Sequence, residues 1–155
     1  MFKNKVFLGV FAGLASTIVK DAINQVLYSF KIIKILFAQY AVGVFIKTVE
    51  TKSLPGIVTG YFIDFGLSAL LGIIFVFLLV KTKPIHLLFQ GFLFGIAMFI
   101  CIYGALLSFG ISSVRERPLL DVILMFFIHL IYGLVLGLFV QKFGKKAFEV
   151  SWTDV

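Results

Sequence analysis

Three long apolar runs constrain this chain more than any other feature of its sequence. They cover residues 57–80, 85–109 and 119–140, and few polar side chains interrupt them. Each run is longer than the ~20 residues that a helix needs to cross the hydrocarbon of a bilayer. Inside lipid the backbone must satisfy its own hydrogen bonds, which leaves helices or a closed barrel. Barrel strands alternate polar and apolar residues, and these runs do not, so the sequence predicts an all-α integral membrane bundle.

The composition agrees with that class. Of the 155 residues, 61% are hydrophobic and 14% are charged, against roughly 45–50% and about 25% in soluble domains. The net charge of +7 comes from lysines that flank the apolar runs. This placement is typical of contacts with anionic lipid head groups and does not indicate nucleic acid. We therefore expect the lipid bilayer to be the main partner.

A further span is expected at the N-terminus, over residues 6–29. The apolar stretch there stops at Lys20 and is too short to cross the bilayer alone, so the helix must continue through KDAINQVLYSF. Lys20 and Asn24 lie four residues apart with Asp21 beside them. This spacing places one polar stripe along one face of the helix.

The segment 31–50 is apolar but short, and lysines interrupt its start. We interpret it as an interfacial or re-entrant amphipathic helix whose lysines reach toward head groups. A fifth, imperfect span is the alternative. The prediction is a single transmembrane domain over residues 1–155, in which Trp152 rests at the interface and the full spans cover 6–29, 56–80, 85–109 and 119–141.

The distribution of basic residues predicts that both termini lie in the cytoplasm. With four spans, the N-terminus, the tail and the loop that holds Lys81 and Lys83 share one side of the membrane. The short segments on that side are rich in lysine, as cytoplasmic loops are.

Glycines four residues apart recur inside the apolar runs. Gly9 and Gly13 stand in FLGVFAGLA, and Gly91 and Gly95 stand in FQGFLFGIA. In lipid, apolar burial does not drive helices together, so small residues that let two backbones approach closely take over that role. The pattern predicts close helix crossings and offers faces through which copies of the chain can associate.

The same glycines indicate an internal repeat. The two glycine motifs agree at Phe, Gly, Gly and Ala, and a second pairing matches two triads at identical spacing: Asp64, Ser68 and Gly72 with His129, Gly133 and Gly137. The first two spans would then resemble the last two as a parallel repeat. The amphipathic insert would belong to the first half only.

The second half also resembles a known family. The stretches GFLFGIAMF and LIYGLVLGLF, with RERPLLDVI between them, resemble the YqhR-like small membrane proteins of Gram-positive spore formers. The first half departs from that pattern at KDAINQ and in the lysine-rich segment. The resemblance implies a four-span architecture and a bacterial plasma membrane, and it implies no activity.

Ionisable side chains within apolar runs need an explanation, because each costs roughly 2.5–3.5 kcal/mol on insertion scales. At ~1.5 Å of rise per residue, Lys20, Asp64 and His129 fall in the same half of the bilayer. The candidate intramembrane polar cluster is therefore Lys20, Asp21, Asn24, Asp64 and His129. It is either a proton- or ion-responsive site, or a structural cluster in which Lys20 pairs with Asp64 and His129 bonds a backbone carbonyl.

No catalytic constellation, cofactor motif or metal-ligand spacing stands out, and Cys101 is the only cysteine, so we expect neither an enzyme nor a cofactor. Two function classes remain. The first is a structural or accessory membrane protein that self-associates or joins a larger membrane complex through its glycine faces. The second is a small oligomeric transporter or channel. A transporter predicts a reachable cavity at Asp64 and His129, whereas a scaffold predicts a dry, fully paired cluster.

Overall fold

Residues 2–83 and 85–149 are described by a computed structural model. Within them the chain is helical and forms no strand. The expected interfacial position of Trp152 lies outside these residues. The helices are α1 (Lys5–Ser29), α2 (Phe37–Val42), α3 (Thr48–Thr51), α4 (Leu54–Thr82), α5 (Leu87–Met98), a π-helical segment (Phe99–Gly104), α6 (Ala105–Ser108), α7 (Leu119–Phe143) and α8 (Lys145–Glu149).

Four helices are long and apolar enough to cross a membrane. They are α1, α4, α7 and the helix that joins α5 to the π segment. The predicted bundle of four transmembrane helices is therefore confirmed, and its bounds differ from the predicted ones by a few residues. The segment 31–50 is not among the candidate spans of the described chain.

Local sequence fixes where the first two spans begin. Asn4 Oδ1 accepts the N–H of Val6 at 2.8 Å and caps α1, and Ser53 Oγ accepts the N–H of Gly56 at 3.1 Å and caps α4. Side-chain oxygens at this position satisfy amides that have no partner within the helix. After α1, Lys31 has a φ of 58°, and this left-handed conformation prevents the helix from continuing.

The segment between α1 and α4 differs from the single helix expected over 31–50. It holds two short helices, α2 and α3, joined by irregular backbone. Most of α2 is buried, and it packs against α4. The difference has a physical reason: distant side chains bond the backbone of this segment, as described below, and so replace the bonds of a regular helix. Such backbone is tolerated at membrane depth when protein surrounds it.

The bundle is built from two tightly crossed pairs. α1 packs against α4, α5 packs against α7, and α1 also packs against α7. α4 and α5 meet through Phe75 and Phe94, whose ring centroids are 5.1 Å apart. One apolar cluster lies around these two rings. The chain between α1 and α4, residues 31–53, is called the 31–53 segment. Together with the π segment and the first half of α7 it forms a second apolar cluster.

Each crossing is as close as the glycines allow. A Cβ added to Gly72 would lie 2.9 Å from Cα of Gly13, and one added to Gly133 would lie 2.9 Å from Cα of Gly95. Real Cβ atoms do not approach a carbon this closely, so any side chain would force the backbones apart. The structure therefore has a close helix crossing at each of the two glycine motifs.

The predicted packing glycines are used within the chain. Each of them faces another helix of the same chain: Gly9, Gly13, Gly91, Gly95, Gly133 and Gly137. Because backbone atoms already fill the space at each position, self-association through these faces would require the bundle to open.

The two crossings match each other in a register that the sequence did not predict. Gly72 lies on the carbonyl of Gly9, and Gly133 lies on the carbonyl of Gly91 in the same way. Packing therefore makes Gly72 equivalent to Gly133, whereas spacing in the sequence paired it with Gly137. The shift is one helical turn, which a pattern of glycines every four residues cannot distinguish. A duplication of the chain stays a prediction.

Candidate functional site

The centre of the bundle holds an ion-pair cluster. Lys20 on α1 donates a hydrogen bond from Nζ to Asp64 Oδ2 on α4, and Asp21 Oδ1 lies 2.9 Å from the same nitrogen. The three residues are only 4%, 6% and 9% exposed for Lys20, Asp21 and Asp64. Three of the five predicted cluster residues therefore lie in direct contact.

This cluster contains more carboxylates than ammonium groups. One ammonium faces two carboxylates, and neither oxygen of Asp21 has a hydrogen-bond partner in the described structure. The contact of Asp21 with Lys20 is an ion pair by distance without the geometry of a hydrogen bond. Buried charges are ordinarily both paired and hydrogen-bonded. This cluster therefore has more hydrogen-bond acceptors than the described residues supply donors for.

His129 on α7 lies beside the cluster and does not bond it. Its Nδ1 is 2.8 Å from the carbonyl oxygen of Met125. Its ring meets Phe37 edge to face at a centroid distance of 5.0 Å, and Phe99 and Tyr103 lie near the same ring at centroid distances of 5.5 Å and 6.0 Å. Phe37 joins the two groups, because Lys20 Nζ lies 4.3 Å from its ring centroid.

Asn24 has a different role from the one predicted. Its Oδ1 accepts the N–H of Phe37 at 2.9 Å, and its amide nitrogen lies 3.6 Å from Met125 Sδ. It therefore holds the start of α2 in place and is not a member of the ion-pair cluster.

Asp121 is the second anchor of this segment. Buried near the start of α7, it accepts the N–H groups of Lys34 at 2.8 Å and Ile35 at 3.2 Å through Oδ2. Its carboxylate also lies in the first turn of α7, where a negative charge is favourable. The backbone that leads into α2 is thus bonded to α7.

The loop after α6 clamps the other end of α2. Ser113 donates its N–H to the carbonyl of Gly43 at 2.7 Å, and its hydroxyl donates to the carbonyl of Ile46 at 2.8 Å. The Tyr40 hydroxyl donates to the carbonyl of Glu116 at 2.9 Å. Burial raises the pKa of Tyr40, so this hydroxyl keeps its proton and remains a donor.

A cavity of about 350 Å³ lies between α2, α4 and the π segment. Lys20, Asp64 and His129 form its polar lining, and the other lining residues are apolar or aromatic: Phe37, Tyr40, Ala41, Val44, Phe45, Ile63, Leu67, Ile102 and Tyr103. Phe45 is exposed and Leu67 is half-buried, so the cavity reaches the surface of the bundle. A smaller space of about 40 Å³ continues from the same polar residues toward Ser68 and Tyr132.

The π segment shapes one wall of this cavity. π-helical turns inside α-helices are rare and occur frequently at functional sites. Here the segment brings Tyr103 against Phe37 and Tyr40, at centroid distances of 6.1 Å and 5.4 Å with both ring pairs edge to face. The Tyr103 hydroxyl is buried and has no hydrogen-bond partner in the described structure.

Sequence reasoning missed the aromatic residues and the anchor. Phe37, Tyr40 and Tyr103 sit in apolar segments where an aromatic side chain gives no signal of its own. For Asp121 the sequence does hold a signal, because a carboxylate at the start of an apolar span needs a bonding partner. Among residues 2–83 and 85–149 no group of three or more His, Cys, Asp or Glu side chains is placed to hold a metal ion.

Comparison with known proteins gives no match to this chain. A scan against protein-family models finds none, and searches of curated proteins and of solved structures find none either. Only the residues of the site itself therefore indicate what it can bind.

Proposed function

We propose that this multi-pass membrane protein binds a small, largely apolar molecule inside its helical bundle, as the binding step of a small transporter. The cavity at Lys20, Asp64 and His129 is the observation that carries the proposal. Ligand sites are typically concave spaces of about 300–1,000 Å³, lined by apolar and aromatic side chains with a few polar groups that orient the ligand. The cavity described above has this size and this lining.

The state of the polar cluster supports binding over a purely structural role. A purely structural cluster is expected to be dry and fully paired. Instead, the ion pair of Lys20 and Asp64 borders a space that reaches the bundle surface, and the hydroxyl of Tyr103 is buried at the same space. The glycine faces, which an accessory protein would use for assembly, are occupied within the chain.

The membrane context belongs to the same proposal. We place the chain in a bacterial plasma membrane with both termini in the cytoplasm, which the lysine distribution and the resemblance to YqhR-like proteins support. Anionic lipid head groups would bind the lysines at the helix ends. Since four spans are few for a complete pathway, a second copy or a further membrane subunit would complete it, through surfaces other than the glycine faces.

The test is a size-matched block of the cavity. Leu67 on α4 lines the cavity, whereas Leu70, one turn along the same helix, is 59% exposed on the outer surface. Naphthalene, a neutral apolar probe, should raise the unfolding temperature of the wild type and of Leu70→Trp in lipid nanodiscs. Leu67→Trp should respond less, because the indole projects into the space and takes up part of it. An equal response of Leu67→Trp and wild type, or no response of either, would overturn the proposal.

A further inference from the structure

Two polar side chains of the cavity lining, His129 and Asp64, carry hydrogen-bond acceptors. His129 Nδ1 lies 2.8 Å from a carbonyl oxygen, and a carbonyl can only accept, so Nδ1 carries the proton of the neutral ring. Nε2 is then left as a lone-pair acceptor, and no described residue donates to it. The carboxylate of Asp64 adds further acceptor capacity on the same lining.

Among the residues that the structure describes, Lys20 is the cation that lines the cavity, and its ammonium already has partners. Lys20 Nζ bonds Asp64, contacts Asp21 and lies over the Phe37 ring. An anionic ligand would have to displace a carboxylate from this ammonium. A ligand cation meets the opposite situation, because the carboxylate of Asp64 lines the cavity and attracts a positive charge.

The aromatic walls suit a cation as well. Phe37, Tyr40 and Tyr103 stand edge to face around the cavity, and a ring face attracts a cation through its quadrupole. The ammonium of Lys20 at 4.3 Å from the Phe37 centroid demonstrates that the site accommodates such a contact. Tyr103 is 5% exposed, and its unpartnered hydroxyl belongs to the same wall.

We propose that the ligand of this cavity is a small organic cation, an ammonium group carried on an apolar body. The ammonium lies near Asp64 and His129 and against the aromatic rings, and the apolar body lies along Ile63, Leu67 and Ile102. This inference rests on the proposed function, because it assigns a ligand class to the same cavity.

The test compares two probes of the same shape. In benzyltrimethylammonium a nitrogen carries the positive charge, and in neopentylbenzene a carbon replaces that nitrogen. Dissociation constants are measured by titration calorimetry in nanodiscs of zwitterionic lipid, with Leu67→Trp nanodiscs as the blank for partition into lipid. The cation should bind about tenfold more tightly than its neutral isostere.

The outcomes separate the two proposals. Equal or tighter binding of neopentylbenzene would overturn the cation assignment and leave the binding function standing. Failure of both probes to bind above the Leu67→Trp blank would overturn both proposals.

Variants of Tyr103 provide a matched control, because Tyr103→Phe removes only the hydroxyl whereas Tyr103→Leu removes the aromatic ring. Tyr103→Phe keeps the ring and should keep the preference for the cation, while Tyr103→Leu should reduce it about threefold or more. Asp64→Asn should reduce the preference too. If Asp64→Asn does not fold, Tyr103→Leu still tests the assignment. An unchanged preference in Tyr103→Leu would overturn the aromatic part of the assignment.

Discussion

At the scale of single residues, the members of the ion-pair cluster contribute unequally to stability. Lys20 is the shared partner of two carboxylates, so its loss leaves both of them without a cation. Loss of Asp64 leaves Lys20 with Asp21. Breaking a buried pair costs more than replacing all of its members by apolar groups, because an unpaired charge stays behind.

We predict an order of stabilities from this geometry. Lys20→Met should cost about 3–5 kcal/mol of unfolding free energy, and Asp64→Leu should cost less, about 1–3 kcal/mol. The triple variant Lys20→Met, Asp21→Leu, Asp64→Leu should recover most of the loss. SDS titration in mixed micelles measures these values. Costs that simply add up in the triple variant would show that the three side chains do not interact.

The sequence predicted these charged residues for a simple reason. A charge within an apolar run is expensive and therefore conspicuous, and the similar depths of Lys20 and Asp64 indicated that they can meet. It could not predict that Asn24 bonds the Phe37 amide or that Tyr103 forms a wall. Those roles depend on the π segment and on the path of the chain after Lys31, which no local pattern encodes.

At the scale of elements, the glycine crossings fix the distances between helices. A side chain at Gly95 would meet the carbonyl of His129 on α7. Gly66 on α4 is the natural control, because an added Cβ there has no atom within 4 Å.

Gly95→Leu should therefore destabilise the bundle by about 1–3 kcal/mol or more. Gly66→Leu should change the unfolding free energy by no more than about 0.5 kcal/mol. The same SDS titration compares the two variants. Similar small effects at both positions would mean that α5 and α7 do not cross at Gly95.

The 31–53 segment depends on anchors in other elements. Asp121→Ala removes the acceptor for the amides of Lys34 and Ile35, so backbone amides over 34–42 should exchange faster with deuterium. Asp121→Asn keeps an oxygen at the same place and should give an intermediate rate. Faster exchange confined to the first turn of α7 would contradict the anchoring role.

This segment also shows where prediction from sequence ends. Long apolar runs were sufficient to predict the spans, because in lipid the backbone has to form a helix to satisfy its own hydrogen bonds. The 31–53 segment escapes that rule, since Asp121, Asn24 and Ser113 satisfy its backbone from outside. Hydrogen bonds between residues this distant in the sequence leave no local pattern.

At the scale of the whole molecule, the contacts place the two ends of the bundle. Ser113 bonds Gly43 and Ile46, so the 31–53 segment and the loop after α6 share one end. The N-terminus of α1 and the turn after α4 lie at the other end, because consecutive spans alternate in direction. The lysine bias then predicts that the Ser113 end faces outward.

Two single-cysteine variants in a Cys101→Ser background test this orientation in intact cells. Arg115→Cys should react with a membrane-impermeant maleimide, and Lys83→Cys should react only after the cells are opened. The reverse pattern would invert the topology, and labelling of both sites in intact cells would contradict the four-span arrangement.

The central claim is that the cavity at Lys20, Asp64 and His129 holds a small molecule in the membrane where the protein resides. Native mass spectrometry of protein released directly from that membrane tests it. Wild type and Leu70→Trp should both carry a small-molecule adduct that Leu67→Trp lacks. The same set of masses in all three proteins, with or without adducts, would contradict the claim.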